Sequence, residues 1–291
     1  MDWHLVLAGG LVGFVVGLTG MGGGALMTPI LVLFFKVDPL TAVSSDLVAS
    51  VAMKPVGAAV HQRRGTVDLR LVRLLCYGSV PAAFCSVLLL RLLTDPASLQ
   101  SVIRGGLAVA LLLAVSTVVV RGIIVRIRVR EPKTGTLAVR PVPTVLVGFV
   151  GGLVVGVTSV GSGSLIIVAL MLLYPSLTMA RLVGTDLMQA IPLVGSAALG
   201  HLLFGNVEFH LTTTLLLGAL PAVYLGARLS SRAPAGLIRS ALLIVLMASA
   251  LKLLGAPDTV VLWVSAGMIA VAIPLLLVRV RRTSGSTAGS G

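Results

Sequence analysis

The sequence predicts an all-α polytopic membrane protein. It has two inverted-topology repeats, each a glycine-broken (re-entrant) helical hairpin plus about three transmembrane helices, and one extra C-terminal transmembrane helix. Three observations carry this reading. Hydrophobic residues are 57% of the 291 and charged residues 11%, against roughly 45–50% and about 25% in soluble domains. Apolar runs of about 20 residues, enough to cross about 30 Å of hydrocarbon, recur along the chain. The two halves share Gly, Asp, His and Pro positions at a nearly constant offset, yet equivalent loops differ in charge. The 22 Lys and Arg against 9 Asp and Glu give a net charge of +13. In a soluble chain that balance would suggest nucleic acid. Here aromatic residues are 4% and the cations sit mainly between apolar runs. They read as topogenic, and no nucleic-acid partner is expected.

The chain opens on Met1-Asp2-Trp3-His4 without a basic segment or a small-residue cleavage site, so the N-terminus is expected to be retained. The run 5–35 is broken at Gly20–Gly24, and the run 143–174 at Gly161–Gly163. Each half-run of about 12–16 residues is short for a crossing. A broken or re-entrant hairpin is expected at each, two short tilted crossings being the alternative. Full crossings are expected at 40–60, 69–93, 99–124, 180–203, 210–230, 237–254 and 259–280. Cys76 and Cys85 share one apolar run and read as packing residues rather than a disulfide or metal site.

Basic residues orient these spans. Arg63, Arg64, Arg70 and Arg73 mark one cytoplasmic loop, Arg121 to Arg140 a second, Arg228 and Arg232 a third, and Arg279, Arg281 and Arg282 the C-terminus. Seven crossings with the N-terminus outside and the C-terminus cytoplasmic satisfy all four, and place Trp3 and Trp263 at the outer interface. The resulting organisation is a first repeat at 1–120, a basic linker at 121–141, a second repeat at 142–256, an additional helix at 257–282 and a flexible tail at 283–291.

The duplication is visible at polar positions. Gly17-Leu18-Thr19-Gly20-Met21-Gly22-Gly23-Gly24 aligns with Gly156-Val157-Thr158-Ser159-Val160-Gly161-Ser162-Gly163 at an offset of 139. One inserted residue later the offset is 140. Asp46 then meets Asp186, His61 meets His201, and Gly65, Val67 and Asp68 meet Gly205, Val207 and Glu208. The loop 61–73 carries four arginines and its counterpart 201–213 none, so the two face opposite sides. Paired, interrupted hydrophobic segments in inverted repeats point to a transporter binding site.

Glycine breaks leave backbone N–H groups that cannot face lipid. The half-helices after them, 24–35 and 163–174, present positive N-terminal ends suited to an anion. Backbone groups at Gly20, Gly22, Gly23, Gly24, Gly161 and Gly163, with the hydroxyls of Thr19, Thr158, Ser159 and Ser162, form the expected binding set. Lys54 lies well inside its span, where a lysine costs about 2.5–3.5 kcal/mol unless it faces a pathway or a partner. It would balance an anion, or form a structural pair with Asp46. Asp186 is the matching carboxylate, but Val194 stands where Lys54 would be. Asp46 and Asp186 are the expected proton carriers. His61 and His201, near helix ends on opposite faces, read either as capping residues or as gating proton handlers. Close packing through small residues is the alternative for the breaks. A Ser162/His201 intramembrane hydrolase is a remaining rival. It is weakened because Gly23 takes the place of Ser162 in the first copy. No cofactor or metal is implied, since two cysteines and four dispersed histidines give no ligand spacing.

The pattern Gly17-x-x-Gly20-x-Gly22-Gly23-Gly24-x-x-x-x-Pro29 resembles the signature of the TauE/SafE sulfite exporter family. His61 and Gly65-Thr66-Val67-Asp68 fit it too, as do Gly184-Thr185-Asp186-Leu187 and Gly205-Asn206-Val207-Glu208 in the second copy. The resemblance covers about residues 5–255. It implies a bacterial inner-membrane carrier for sulfite, sulfoacetate or related organosulfonates, coupled to the proton gradient. Its expected partners are a small anion, protons and membrane lipid. Carriers or channels for another small anion such as a carboxylate remain open. Gly105, Gly106 and other small residues leave room for packing within or between chains, so a homo-oligomer is open as well. Many relatives carry Gly-Thr-Ser-Leu where this chain has Ser44-Ser45-Asp46-Leu47 and Gly184-Thr185-Asp186-Leu187. That difference would mark a subgroup.

Overall fold

The computed structural model describes residues 3–19, 23–63, 65–95, 97–127, 138–229 and 235–270. The described chain is helical. Its elements are α1 (Trp3–Thr19), α2 (Gly24–Leu33), α3 (Pro39–Arg63), α4 (Leu69–Leu93), α5 (Leu99–Ile127), α6 (Pro141–Thr158), α7 (Leu165–Leu173), α8 (Met179–Phe204), α9 (Phe209–Leu229) and α10 (Ala235–Leu253). A last helix, α11 (Asp258–Ala270), follows. Five of the described helices, in α4, α5, α6, α8 and α9, are long and apolar enough to cross a membrane. The other expected crossings coincide with α3, α10 and α11. The tail at 283–291 lies outside the described residues.

The second break is described in full, while residues 20–22 of the first lie outside the described residues. The first arms, α1 and α6, have 17 and 18 residues, longer than expected, and the second arms, α2 and α7, only 10 and 9. The reason is that Gly17 and Gly156 stay helical, and at the second break the chain leaves the helix only after Thr158. At the second break Ser159 turns left-handed, with φ of 59°. The Thr158 hydroxyl donates to the Val154 carbonyl at 2.6 Å and accepts from the Val160 N–H at 3.2 Å. Gly161 and Gly163 follow with φ of 118° and 104°, a region that side-chain-bearing residues rarely enter.

The helices pack across the halves. Along α1, Gly9, Gly13 and Gly17 lie against the backbone of Leu215, Ala219 and Val223 in α9. Along α6, Gly148, Gly152 and Gly156 lie against Leu75, Ser79 and Ala83 in α4. The two sets interconvert by the sequence offsets of 139 and 140. In both, numbering advances together, so the paired helices are parallel, and a methyl at Gly13 or Gly152 would strike the facing carbonyl. This is small-residue packing at four-residue spacing.

Two apolar clusters result. One joins α1, α2 and α5 to α9 and α10, with Val12, Met27, Leu31, Leu111, Leu215 and Leu246 at its centre. The other joins α6, α7 and α8 to α3 and α4. Between them α3 and α8 cross antiparallel. At one end of the crossing the Glu208 N–H meets the Ser45 hydroxyl at 3.4 Å, and at the other the Asp68 N–H meets the Thr185 hydroxyl at 3.0 Å. These two contacts also interconvert at offset 140.

Candidate functional site

The crossing of α3 and α8 carries both buried aspartates next to the two breaks. Burial in an apolar bundle forces each polar group to find a partner or remain costly. Asp46, 0% exposed, finds two. Its Oδ2 accepts from the Thr28 hydroxyl of α2 at 2.8 Å and from the Ser159 hydroxyl at 2.7 Å. The left-handed turn at Ser159 costs about 1 kcal/mol for a non-glycine residue and aims that hydroxyl at the carboxylate. Gly24 lies directly on the Ser159 carbonyl, so the start of α2 and the second break touch. Gly23 sits beside Asp46, Ser50 and Met53. The first turns of α2 and α7 have no side-chain cap, although the Leu26 and Leu165 N–H groups bond the Gly23 and Gly161 carbonyls.

Lys54, 7% exposed, donates to the Ser162 hydroxyl at 2.6 Å. Its ammonium interacts electrostatically with Asp186 and then Asp46. The ion pairs among the described residues are Arg181–Asp68 and Lys252–Asp258. The direct Lys54–Asp46 pair considered from sequence is therefore not formed, because Ser159 and Thr28 take the carboxylate and Ser162 takes the ammonium. Val194 leaves Asp186 without a lysine at the matching position of its own helix, and Lys54 of the other half and then Arg121 contribute to the field there. Asp186 is 1% exposed, and neither of its oxygens has a hydrogen-bond partner. Gln189 approaches it, but the Gln189 Nε2 is also unpartnered, as is Asp46 Oδ1.

His201 ends α8 as expected, but it is buried rather than interfacial, with 1% exposure. Its Nε2 lies 2.7 Å from the Gly156 carbonyl, which accepts only, so that nitrogen carries a proton. Its Nδ1 shares a 2.6 Å hydrogen bond with Ser44, two residues from Asp46. Both ring nitrogens are thus engaged away from Ser162, and no Ser162–His201 dyad exists. Thr158 faces its own backbone. Gly20, Gly22 and the side chains of Thr19 and His61 lie outside the described residues.

The structure thus gathers Gly23, Gly24, Asp46, Lys54, Ser159, Ser162 and Asp186. Thr28, Ser44, Ser45, Thr185 and Gln189 were missed. A hydroxyl before Pro29 in an otherwise apolar half-helix marked Thr28. The hydroxyls preceding each aspartate marked Ser45 and Thr185.

Two glycine-broken helices meeting at a buried Lys and two buried Asp is a carrier-like arrangement, and similarity to known proteins decides the family. The profile described as Sulfite exporter TauE/SafE matches residues 5–253. The chain belongs to the TauE/SafE sulfite exporter family. It is a multi-pass membrane transporter rather than an enzyme. It is 36% identical over 258 residues, covering 87% of this chain and 100% of the relative, to "Probable membrane transporter protein YjnA" of Bacillus subtilis (strain 168). It is 24% identical over 250 residues, 86% of this chain and 99% of the relative, to "Probable membrane transporter protein YdhB" of the same organism. No solved structure matches it.

Proposed function

We propose that this TauE/SafE transporter carries sulfite or a small organosulfonate across the bacterial inner membrane by proton-coupled alternating access between two inverted repeats. Helix directions support the inversion. The links at 64–68 and 205–208 are too short for α3 and α4, or α8 and α9, to run the same way. Since α3 opposes α8, α9 runs along α3, and α1 runs along α9. By the same steps α6 runs along α4, and so against α1. This arrangement agrees with the charge of the loops, with the N-terminus outside and the C-terminus cytoplasmic, and makes α1–α2 and α6–α7 re-entrant hairpins entering from opposite sides.

The observation that carries the proposal is the bond from Lys54 to Ser162 beside the contact of Gly24 with Ser159. It unites a buried cation, hydroxyl donors and two uncapped half-helix ends, the donor set that an oxyanion requires. In this arrangement the Asp46 carboxylate holds the Ser159 and Thr28 hydroxyls. It is an internal anion that a substrate must displace. Protonating Asp46 removes its charge and frees those donors, so anion binding strengthens as pH falls on the loading side. Asp186, with two unpartnered oxygens, is the second proton site.

The test is flux in proteoliposomes of purified protein with sulfite, sulfoacetate or thiosulfate, with and without a pH gradient. Saturable, gradient-driven flux with counterflow is expected. Folded protein that moves carboxylates and no sulfur oxyanion overturns the substrate assignment, and flux without counterflow indicates a channel.

A further inference from the structure

A second basic site lies away from the breaks. A cavity of about 460 Å³ opens where α2 and α10 end, and Lys36, Asp38, Arg104, Lys252 and Gly255 help to line it. Three separate segments bring cations to it: the α2–α3 turn, the first turns of α5, and the last turn of α10. In the orientation proposed above, all three lie on the outer face. Lys and Arg are depleted there in loops that only set topology, so these cations need another reason. Among the described residues, Arg91 also lies at an outer helix end, where it donates to the Asn206 side chain at 3.4 Å.

The backbone at the cavity is also unusual. Lys36 takes a φ of 54°, left-handed and unfavourable for a residue with a side chain. It does so as the Val37 N–H reaches back to the Leu31 carbonyl at 3.1 Å. The matching turn at the end of α10 uses Gly255, with φ of 83°. A glycine would meet that backbone with less strain, so position 36 carries a cationic side chain at a local cost. Lys252 pairs with Asp258, and Lys36, Arg104 and Asp38 line the same cavity.

We propose that this cavity is an outer-face subsite for a small oxyanion, sulfonate- or phosphate-like in chemistry. It would concentrate the transported anion at the outer end of α2, whose other end is Gly24 at the central site. This rests on the transport reading above. A charged, concave mouth raises the local concentration of an opposite ion and weakens with salt.

Two measurements test it. In oriented proteoliposomes, Lys36→Gln combined with Arg104→Gln should raise half-saturating outer sulfite about tenfold. Half-saturation from the inner side and the maximal rate should stay near wild type. If half-saturation on both sides moves together, or thermal stability falls with no sided effect, the cations serve the two helix ends and the proposal is overturned. The second measurement needs no transport. Acylation of Lys36 by a membrane-impermeant amine reagent, read by mass spectrometry, should slow with sulfite or inorganic phosphate relative to equal chloride in phosphatidylcholine nanodiscs. Protection there in a protein that carries no sulfite keeps the subsite and sinks only the transport reading. Protection that requires phosphatidylglycerol and ignores added anion assigns the cavity to lipid headgroups and overturns the proposal, as does no protection at all.

Discussion

Asp46 and Asp186 occupy equivalent positions in the two halves, yet their surroundings differ sharply. Asp46 is held by two hydroxyls, one from its own half and one from the other. Asp186 is equally buried, but its oxygens accept no hydrogen bond. The difference traces to a few substitutions between the copies. Ser159 replaces Gly20, and apolar Ile167 and Val168 stand where Thr28 would be. Lys54 has no counterpart in the second half, since Val194 stands at the equivalent position. Matched positions thus hold one acid with two hydroxyl donors on one of its oxygens and one acid with none, and Lys54 lies in the field of both. In the proposed mechanism the first competes with the anion and the second carries a proton, because a buried carboxylate without hydroxyl donors is the more costly of the two to hold.

The largest effect should come from removing the shared cation. Lys54→Ala strips the charge from the field of both acids and leaves Ser162 without its donor. Loss of a charged hydrogen bond of about 1.5–3 kcal/mol predicts a fall in sulfite affinity of roughly tenfold to a hundredfold, read as half-saturation in proteoliposomes. A wild-type value would show that the anion does not visit Lys54. The two acids should then separate. Asp186→Asn is expected to abolish accumulation driven by a pH gradient while sparing sulfoacetate counterflow. Asp46→Asn should keep gradient-driven transport and flatten the pH dependence of sulfoacetate binding. Identical behaviour of the two variants would erase the distinction. The smallest effect should be Ser159→Gly. Relief of the left-handed strain, about 1 kcal/mol, offsets loss of one hydrogen bond of about 1 kcal/mol. The thermal midpoint should change little while the pH dependence of binding weakens.

Much of this was legible from residue types. The breaks, the paired acids and the buried lysine announce themselves because polar or helix-breaking residues in an apolar run are costly. Which group meets which was not legible. Sequence spacing placed Lys54 two turns from Asp46 on one helix, but the second break gave it Ser162 and the crossing with α8 put it in the field of Asp186. His201 likewise looked interfacial by position, and only the packing of α6 and α3 around it encloses it. The exchange of helices between halves did leave a trace, in the matched four-residue glycine spacing of 9, 13 and 17 with 148, 152 and 156. Identifying what those stripes pack against required the fold.

The crossed glycine seams have a consequence for biogenesis. The surface that α1 needs belongs to α9, so the first helix made must wait for the ninth before its stripe is covered. α6, by contrast, finds α4 already in the membrane. Synthesis therefore completes the cluster around α6 first and the one around α1 last. A ribosome stalled after α5 would leave the glycine stripe of α1 without its packing partner, a state for membrane quality control to recognise. The two halves made as separate chains should accumulate only when produced together.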